Sequence, residues 1–395
     1  MTYILFDDSS RGELLPLAFT RPVSEFRIGI TTLREKWELW LQDSCSWLTQ
    51  EYLQEKYPAK YSESNLYING RILPQESLLV ALEALPDESI LIQNETVIAI
   101  KTTQQFLLPE SILNITLKSY NFIDTYLAIN HLWDIFQLNG QVLEQDFELL
   151  TAGRKSVKIS NSNTLIGKEN IFLEEGALVE GAIINASKGP VYIGKDAEVM
   201  EGSIIRGPFA LLDHAATKLG TKIYGPTTIG PYSKVGGELN NVVIFGYSNK
   251  AHDGFLGNAV LGEWCNIGAD TNNSNLKNNY AEVSLWNYPA AAPQGTGLQF
   301  CGLIMGDHAK CGINTMFNTG TVVGVSANVF GAGFPPAFIP DFSWGGAESM
   351  KTYILRAALQ VARLVFSRRN LELNDTEKKI LEEVFNQTQH LRNFK

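Results

Sequence analysis

The sequence predicts two folded parts: an N-terminal α/β domain and a left-handed parallel β-helix that ends in a helical cap. A six-residue recurrence predicts the β-helix. Aliphatic-glycine pairs recur through the second half at multiples of six residues, as in Ile229-Gly230 and Val235-Gly236, Leu261-Gly262 and Ile267-Gly268, and then Gly306, Gly312 and Gly324. A six-residue repeat is one side of a triangular coil, in which the aliphatic residue points into the core and glycine permits the tight corner. Gly167 and Gly194 keep this form out of phase, so insertions interrupt the coils.

The composition is that of an ordinary folded globular protein. Its 395 residues are 45% hydrophobic and 19% charged, which is enough apolar material for two cores. No apolar run is long enough for a bilayer and no signal peptide is apparent, so we expect a cytoplasmic protein without a membrane partner. The formal net charge of -10 argues against nonspecific nucleic-acid binding and favours phosphorylated small molecules. The four cysteines form no CxxC pair and are expected to be reduced.

The first 154 residues have the pattern of a mixed α/β domain. Residues 3–6 are apolar and predict a first β-strand. The polar loop 7–12 follows at the carboxyl end of this strand, a place where ligands often bind. The further elements expected in this domain are a helix over 31–42 capped by Thr31 or Thr32, a strand over 66–68, a hairpin over 90–92 and 96–100, and a helix within 122–136.

The pattern changes near residue 155, where the repeat region begins. We therefore predict domains over 1–154, 155–344 and 345–395. A long interruption at 272–302, rich in Asn, Pro, Ala and Gly, breaks the coils. After Gly346 an apolar stripe with arginines outside it predicts helices, and Asn374 or Asp375 can cap the last one. Such helices protect the end of a solenoid.

This organisation resembles the bifunctional GlmU family, which combines N-acetylglucosamine-1-phosphate uridylyltransferase with glucosamine-1-phosphate N-acetyltransferase. The residues that carry the resemblance are Ser248-Asn249-Lys250-Ala251-His252, then Phe255 to Gly262, and Asn266-Ile267-Gly268-Ala269, which look like the acetyltransferase active-site coil of the family. The whole chain looks closer to a variant branch of Bacteroidetes-type bacteria, described as sugar nucleotidyltransferase. The resemblance implies a nucleotidyltransferase-like N-terminal domain.

The resemblance also implies roles for residues of the second half. His252 occupies the place of the general base, and an imidazole can take the proton of an amine that attacks a thioester. Asn266 and Asn275 fall where the family has substrate-binding asparagines, and Lys222 lies near a basic phosphate-binding position.

Two positions depart from the family's pattern in this half. Phe255 stands where an active-site tyrosine is expected and cannot donate a hydrogen bond. Asn240 stands at an expected lysine, unless Lys234 or Lys250 substitutes for it.

In the first domain, the family's glycine-rich phosphate loop corresponds to residues 6–12, where glycine is sparse. Arg11 and Arg21 are the candidate phosphate ligands, and the alternative is that they pair with nearby carboxylates. The resemblance implies Mg²⁺, but Asn69 replaces the expected metal-binding aspartate. The substitutes that the sequence offers are Asp7, Asp8 and Asp134.

These observations lead to two hypotheses from different classes. The first is a transferase of amino-sugar nucleotide metabolism that uses acetyl-CoA, a sugar phosphate and a nucleoside triphosphate or sugar nucleotide. We expect it to be a homotrimer in which the 272–302 insertion reaches a neighbouring copy. The alternative is a sugar-nucleotide-binding or assembly protein that has lost one or both activities. A zinc carbonic anhydrase is disfavoured, because His214, His252 and His308 are too far apart in sequence to include a close-spaced pair.

Overall fold

The structure, a computed structural model, describes residues 1–394. Its N-terminal domain contains a mixed sheet with the strands β1 (Thr2–Phe6), β2 (Cys45–Leu48), β3 (Asn65–Asn69), β4 (Ser89–Gln93), β5 (Thr96–Thr102) and β6 (Lys118–Asn121). Their order across the sheet is β2-β1-β3-β5-β4-β6. Strand β1 is parallel to both of its neighbours, so the loop after β1 lies beside the carboxyl end of β3. The predicted strands and the hairpin of β4 and β5 are confirmed.

The described part of this domain has the helices α1 (Leu33–Leu41), α2 (Glu76–Glu83) and α3 (Asp134–Thr151). Of the two predicted caps, Thr31 and Thr32, it is Thr32 whose hydroxyl caps α1, and it forms a reciprocal capping box with Glu35. The expected helix within 122–136 is wrong over most of that range. The Asp134 carboxylate accepts the backbone N–H groups of Asn130 and His131, and this turn delays the helix until Asp134.

The second part is a parallel β-solenoid with three faces, which confirms the predicted repeat architecture. The first face is built from Ile171–Leu173, Val191–Ile193, Phe209–Leu211, Thr227–Ile229, Leu303–Met305, Thr321–Val323 and Phe338–Ile339. The second face begins with Thr164–Ile166, Ile183–Asn185, Ile204–Arg206 and Lys222–Tyr224. Two long strands, Glu238–Gly246 and Phe255–Glu263, run from the second face into the first.

The third face consists of short strands and single bridges. In order along the solenoid these are Leu178–Val179, Glu198–Val199, Ala216–Thr217, Lys234–Val235, Asn249–Lys250, the bridge residue Asn266, Lys310–Cys311, Asn328–Val329, Ser343–Gly345 and the antiparallel Met350–Thr352. Inward-pointing aliphatic side chains of all three faces form one continuous core. Burial of this apolar core is the main stabilising contribution to the solenoid.

One corner of the solenoid carries an unusual ladder of rings. His214, Tyr232, Tyr247 and Trp264 occupy successive coils with positive φ angles between 53° and 62°. Their rings stack with centroid separations of 4.6, 5.0 and 4.3 Å. Phe366 of the C-terminal region stacks on Trp264 at 4.0 Å, so the cap docks on the Trp264 end of this ladder.

The C-terminal cap contains the helices α4 (Leu355–Ser367) and α5 (Asp375–Gln387). Asn374 caps α5 by accepting the N–H of Glu377, as predicted. Within residues 1–394, no helix is both long and apolar enough to span a membrane.

The N-terminal domain packs along the first face of the solenoid. Outward-pointing residues of this face, such as Val243, Val260 and Ile304, are fully buried against it. Leu143 of α3 packs in the same way against a cluster that contains Phe172. The first face is therefore an intrachain interface, while the second face exposes apolar side chains at Ile166, Ile183, Ile204 and Tyr224.

Candidate functional site

A cavity of about 530 Å³ opens at the carboxyl ends of β1 and β3. Its lining combines the loop after β1 with side chains of the β3 to β5 region, including Asp7, Asp8, Arg11, Arg71 and Glu95. The 3-10 turn Ser9–Leu14 shapes one wall and starts at Asp8, whose carboxylate accepts the N–H of Ser10. The sequence predicts a ligand site at the carboxyl end of β1, and the structure has a cavity at that place.

Asp7 is an internal anchor of the loop. Its two carboxylate oxygens accept hydrogen bonds from the backbone N–H of Val23 at 2.9 Å and the hydroxyl of Thr49 at 2.6 Å. Arg11 adds an ion pair at 3.5 Å. Burial raises the pKa of Asp7, although Arg11 and the two hydrogen bonds oppose that rise. Asp7 thus holds the loop against β2.

Asp8 is engaged by residues at the end of β3. One carboxylate oxygen accepts from the Asn69 amide at 2.8 Å and from Nε of Arg71 at 2.9 Å. Arg71 also donates to the side chain of Asn130. A guanidinium and an amide consequently occupy the position where the resemblance implies a metal-binding carboxylate.

The donor set of this cavity does not fit Mg²⁺. The ion needs free oxygen ligands and keeps several waters. The carboxylates of Asp7 and Asp8 are already bonded to protein donors, and Arg71 places a positive charge beside Asp8. The Asp134 carboxylate instead accepts the backbone N–H groups of Asn130 and His131. Across residues 1–394, no three His, Cys, Asp or Glu side chains are grouped as a metal site. Asp7 and Asp8 are therefore not supported as metal ligands.

Arg11 lines the cavity but is mostly committed to the protein. Its guanidinium donates to the carbonyl of Ala18 and to the hydroxyl of Tyr52, which in turn donates to the carbonyl of Phe19. These bonds fix the segment that follows the loop. Arg11 stays at the cavity wall as a positive charge, with part of its donor capacity in use.

Arg21 does not reach the cavity, and its predicted role as a phosphate ligand is corrected. It is buried at the interface with the solenoid, where it pairs with Asp307 and, at 3.2 Å, with Glu263. Burial disfavours its charge, but Asp307 and Glu263 outweigh this effect and raise the pKa of Arg21. Thr20 also donates to Asp307 at 2.8 Å. Arg21 therefore follows the alternative prediction and pairs with carboxylates, which belong to Asp307 and Glu263 of the solenoid.

The 272–302 insertion forms part of the cavity's surroundings. It contains a hairpin with the strands β7 (Ser284–Asn287) and β8 (Ala292–Gly295). Asn287 donates to the Glu13 carboxylate at 2.6 Å, and a Cβ at Gly12 would lie 2.9 Å from the ring of Pro289. These contacts place the hairpin against its own chain, and a contact of its exposed residues with a neighbouring copy stays a prediction. The hairpin contacts the 3-10 turn Ser9–Leu14, which forms one wall of the cavity.

His252 lies on the exposed corner between the third and second faces. It follows the strand Asn249–Lys250, and Asn249 is bridged to Asn266 in the next coil. Adjacent parallel strands are about 4.8 Å apart, so His252 and Asn266 belong to neighbouring coils of one surface. Asn266 is exposed as well. The solenoid thus brings two of the predicted residues to the same region.

Asn275, Phe255 and Lys222 lie on the second-face side of that corner. A Cβ at Gly257 would contact both the ring of Phe255 and the amide of Asn275, so these two side chains are neighbours. Asn275 donates to the side chain of Asn258 at 2.8 Å. Lys222 lies two strands from Phe255, with Glu238 on the strand between them. The ammonium of Lys222 is 3.9 Å from the Glu238 carboxylate. His252, Asn266 and Lys222 are exposed, and Asn275 and Phe255 are partly buried, so the predicted residues lie at the surface of the solenoid.

The sequence alone does not tell whether the side chain of Lys250 points to the solvent or to the interior, and the structure answers this question. It points into the solenoid core and is 1% exposed. Its ammonium donates to the backbone carbonyls of His252 at 2.6 Å and Asp253 at 3.2 Å. The sequence signal for this burial is the place of Lys250 in the repeat, where it aligns with the aliphatic Val235.

Comparison with known proteins gives a family match for the N-terminal domain. Residues 3–155 match the family described as sugar nucleotidyl transferase. No curated protein matches the chain by sequence.

Solved structures that resemble the chain include two acyltransferases. A UDP-N-acetylglucosamine acyltransferase from Campylobacter jejuni is 12% identical, with 60% of this chain and 97% of that chain covered and a TM-score of 0.35. The UDP-N-acetylglucosamine acyltransferase of Arabidopsis is 15% identical, with 54% and 80% covered and a TM-score of 0.25. These scores are too low to support an argument about activity. What the comparisons establish is a sugar nucleotidyl transferase-like N-terminal domain.

Proposed function

We propose that the chain is a transferase of sugar-nucleotide metabolism whose N-terminal cavity binds a sugar nucleotide or its precursors. The observation that carries this proposal is the cavity at the carboxyl ends of β1 and β3, inside the segment that matches the sugar nucleotidyl transferase family. A volume of about 530 Å³ lies within the range of small-molecule sites. Arg11 and Arg71 supply positive charge for phosphate oxygens.

We infer further that the solenoid transfers an acetyl group from acetyl-CoA to the amine of a sugar phosphate. In this reaction His252 accepts a proton from the amine as nitrogen attacks the thioester carbonyl. The C–N bond forms, the C–S bond breaks, and the sulfur leaves as the CoA thiolate. Asn266 and Asn275 would orient the sugar, and Lys222 would contact its phosphate. The exposure of His252 supports access by a large acyl donor.

The acyl site is proposed to be completed by a neighbouring copy in a homotrimer. Two features support this. The candidate residues lie at the surface of the solenoid, and the adjacent second face exposes a row of apolar residues with Ile183 paired directly to Ile204. Exposed apolar rows of this kind are typical of protein interfaces. The first face is unavailable, because the N-terminal domain covers it.

Equilibrium binding tests the N-terminal part of the proposal. Calorimetric titration with UDP-N-acetylglucosamine, dTDP-sugars and the free triphosphates should give saturable binding of at least one of them. The variant Arg71→Gln should weaken that binding about tenfold, because a charge-assisted bond to phosphate is lost. Arg154→Gln is the matched control, since Arg154 is 48% exposed near the start of the solenoid. Absence of binding by every nucleotide and sugar nucleotide would contradict the proposal.

A second candidate function of the N-terminal domain is binding without nucleotidyl transfer, and it is the one that the geometry of the cavity favours. The specific observation in its favour is that protein donors engage both Asp7 and Asp8, which leaves no carboxylate cluster for Mg²⁺ in the cavity. Phosphate binding tolerates this arrangement better than in-line attack does, because attack requires accurate alignment. Pyrophosphate release distinguishes the two candidates, since only a nucleotidyltransferase produces it from UTP and a sugar 1-phosphate.

A further inference from the structure

Lys250 occupies an inward column of the third face that, in the part of the chain the structure describes, carries no other charged side chain, since its neighbours there are apolar apart from the hydroxyl of Thr217. In the register of the third face it is aligned with Val235, which is fully buried in the core. Ile267 fills the same inward column one coil later and is 3% exposed. A lysine at this point requires an explanation, because burial of an ammonium group is costly unless its donors are satisfied.

The hydrogen bonds of Lys250 are directed at the turn that carries His252. Burial lowers the pKa of Lys250 to about 8, while Asp253 and Asp270 oppose this decrease. The ammonium donates to two consecutive carbonyl oxygens, those of His252 and Asp253. Each bond restrains the backbone torsions of a residue in the turn 251–254. The direction of the His252 side chain follows from those torsions.

We propose that Lys250 is a positioning residue that holds the exposed turn of His252 from inside the solenoid, and this proposal rests on the proposed acetyl transfer. Lys250 does not touch the substrate, because its amine faces the interior. It acts through the two carbonyls. The usual alternative is a lysine that only fills the core and satisfies its own charge.

The variant Lys250→Met separates these possibilities. Methionine keeps an unbranched side chain of similar length for the core and removes both hydrogen bonds. Lys310→Met is the matched control, because Lys310 also has its pKa lowered to about 8 by burial and donates to a corner carbonyl, that of His308, at 2.8 Å. Both variants lose a largely buried ammonium, but only one of them loses bonds to the His252 turn.

Histidine NMR provides a readout that does not depend on activity. The ring cross-peak of His252 should shift or broaden in Lys250→Met and stay in place in Lys310→Met, while that of His214 is unchanged in both. An unmoved His252 peak in a folded Lys250→Met protein overturns the proposal. If the peak moves but the wild type transfers no acetyl group, the positioning role stands and the proposed acetyl transfer fails.

Kinetics then test whether Lys250 acts through His252. We expect Lys250→Met to lower kcat for acetyl transfer about tenfold to 100-fold with KM for acetyl-CoA changed less than twofold. In a His252→Ala background the same substitution should change the residual rate less than twofold. Full additivity of the two substitutions overturns the proposal. Lys250→Gln is tested in parallel, and failure of both Lys250 variants to fold would assign the residue to folding alone and also overturn it.

Discussion

The cavity of the N-terminal domain and the His252 corner of the solenoid differ in how complete they are within one chain. Around the cavity, Asp7, Asp8 and Arg11 are bonded to neighbouring groups, and a hairpin from the solenoid supports the loop through Asn287. At the corner, His252 is exposed, and its turn is restrained from the interior. The cavity therefore has its walls in place, whereas the corner needs another surface to enclose a substrate.

This difference suits the two regions to different ligands. Preorganised walls favour tight binding of a small phosphorylated ligand, because little side-chain ordering remains to be done. In the proposed acetyl transfer, an open corner leaves room for a long acyl donor that extends between protein copies. Substitutions that act on only one region should leave the other unchanged, and this independence is the basis of the predictions.

The largest effect is expected for His252→Ala. Loss of a general base lowers acetyl transfer to an amino-sugar phosphate by about 10²-fold or more, and binding in the N-terminal cavity stays as it was. Steady-state acetylation with acetyl-CoA measures the first quantity. His214→Ala is the control, because His214 is also an exposed corner histidine of the same solenoid. An unchanged kcat in His252→Ala would remove the assignment.

The second prediction concerns the neighbouring copy. Ile204→Asp places a charge in the exposed apolar row of the second face, where Ile204 is 48% exposed. We expect the trimer to dissociate and acetyl transfer to fall more than tenfold, while sugar-nucleotide binding is retained. Sedimentation equilibrium measures the mass. Val80→Asp on α2, where Val80 is 61% exposed, is the control. A monomeric wild type at micromolar concentration would refute the shared acyl site.

Sequence reasoning is most successful where local signals determine the structure. Thr32 and Asn374 cap their helices as predicted, because a capping hydrogen bond involves residues three positions apart. The repeat identifies the solenoid for the same reason. Local signals do not predict that Arg21 pairs with Asp307, which is 286 residues away, or that the N-terminal domain covers the first face. Long-range pairing depends on how the domains dock, which the repeat pattern does not encode.

The candidate site follows the same division. His252 and Asn266 lie in adjacent coils because the repeat length sets the stacking. The hairpin contact with Glu13 and the engagement of Asp8 by Arg71 arise from tertiary packing, so the sequence alone leaves a metal site open that the geometry does not support. The roles of His252, Asn266, Asn275 and Lys222 stay predictions.

The third prediction tests the hairpin support of the cavity. Asn287→Asp keeps the oxygen that accepts the N–H of Ala290 but places a second carboxylate beside Glu13. Repulsion of about 1 kcal/mol should displace the loop and weaken sugar-nucleotide binding about fivefold, with acetyl transfer unchanged. Calorimetric titration measures the affinity. The double variant Glu13→Gln with Asn287→Asp should restore it, and an affinity equal to wild type in the single variant would show that the hairpin has no influence.

The smallest effect is a pH dependence of stability. Lys250 has a folded pKa of about 8, below its unfolded value of about 10.4, so the unfolded chain binds more protons between these values. Stability contributed by this group therefore rises with pH through that window, by at most about 1.4 kcal/mol per pH unit. The carboxylates of Asp253 and Asp270 act against this decrease of the Lys250 pKa, and the buried thiol of Cys311 is a further titratable group nearby.

Urea unfolding of the wild type and Lys250→Met at pH 7.5, 8.5 and 9.5 measures this contribution. The difference between the two free energies of unfolding should change with pH in the stated direction. Parallel curves would indicate that Lys250 has the same pKa in both states. The measurements stop at pH 9.5 because tyrosine side chains ionise near pH 10 and would add their own pH dependence.

The most direct test of the account measures binding and transfer on the same protein. The N-terminal cavity is proposed to bind a sugar nucleotide without a resident metal, and its geometry favours binding over nucleotidyl transfer. Calorimetry with UDP-N-acetylglucosamine, in EDTA and in Mg²⁺, is paired with pyrophosphate release from UTP and N-acetylglucosamine-1-phosphate in Mg²⁺. We predict binding with affinities that agree within about twofold and slow or absent pyrophosphate release. Rapid Mg²⁺-dependent release, or binding that disappears in EDTA, would contradict the account.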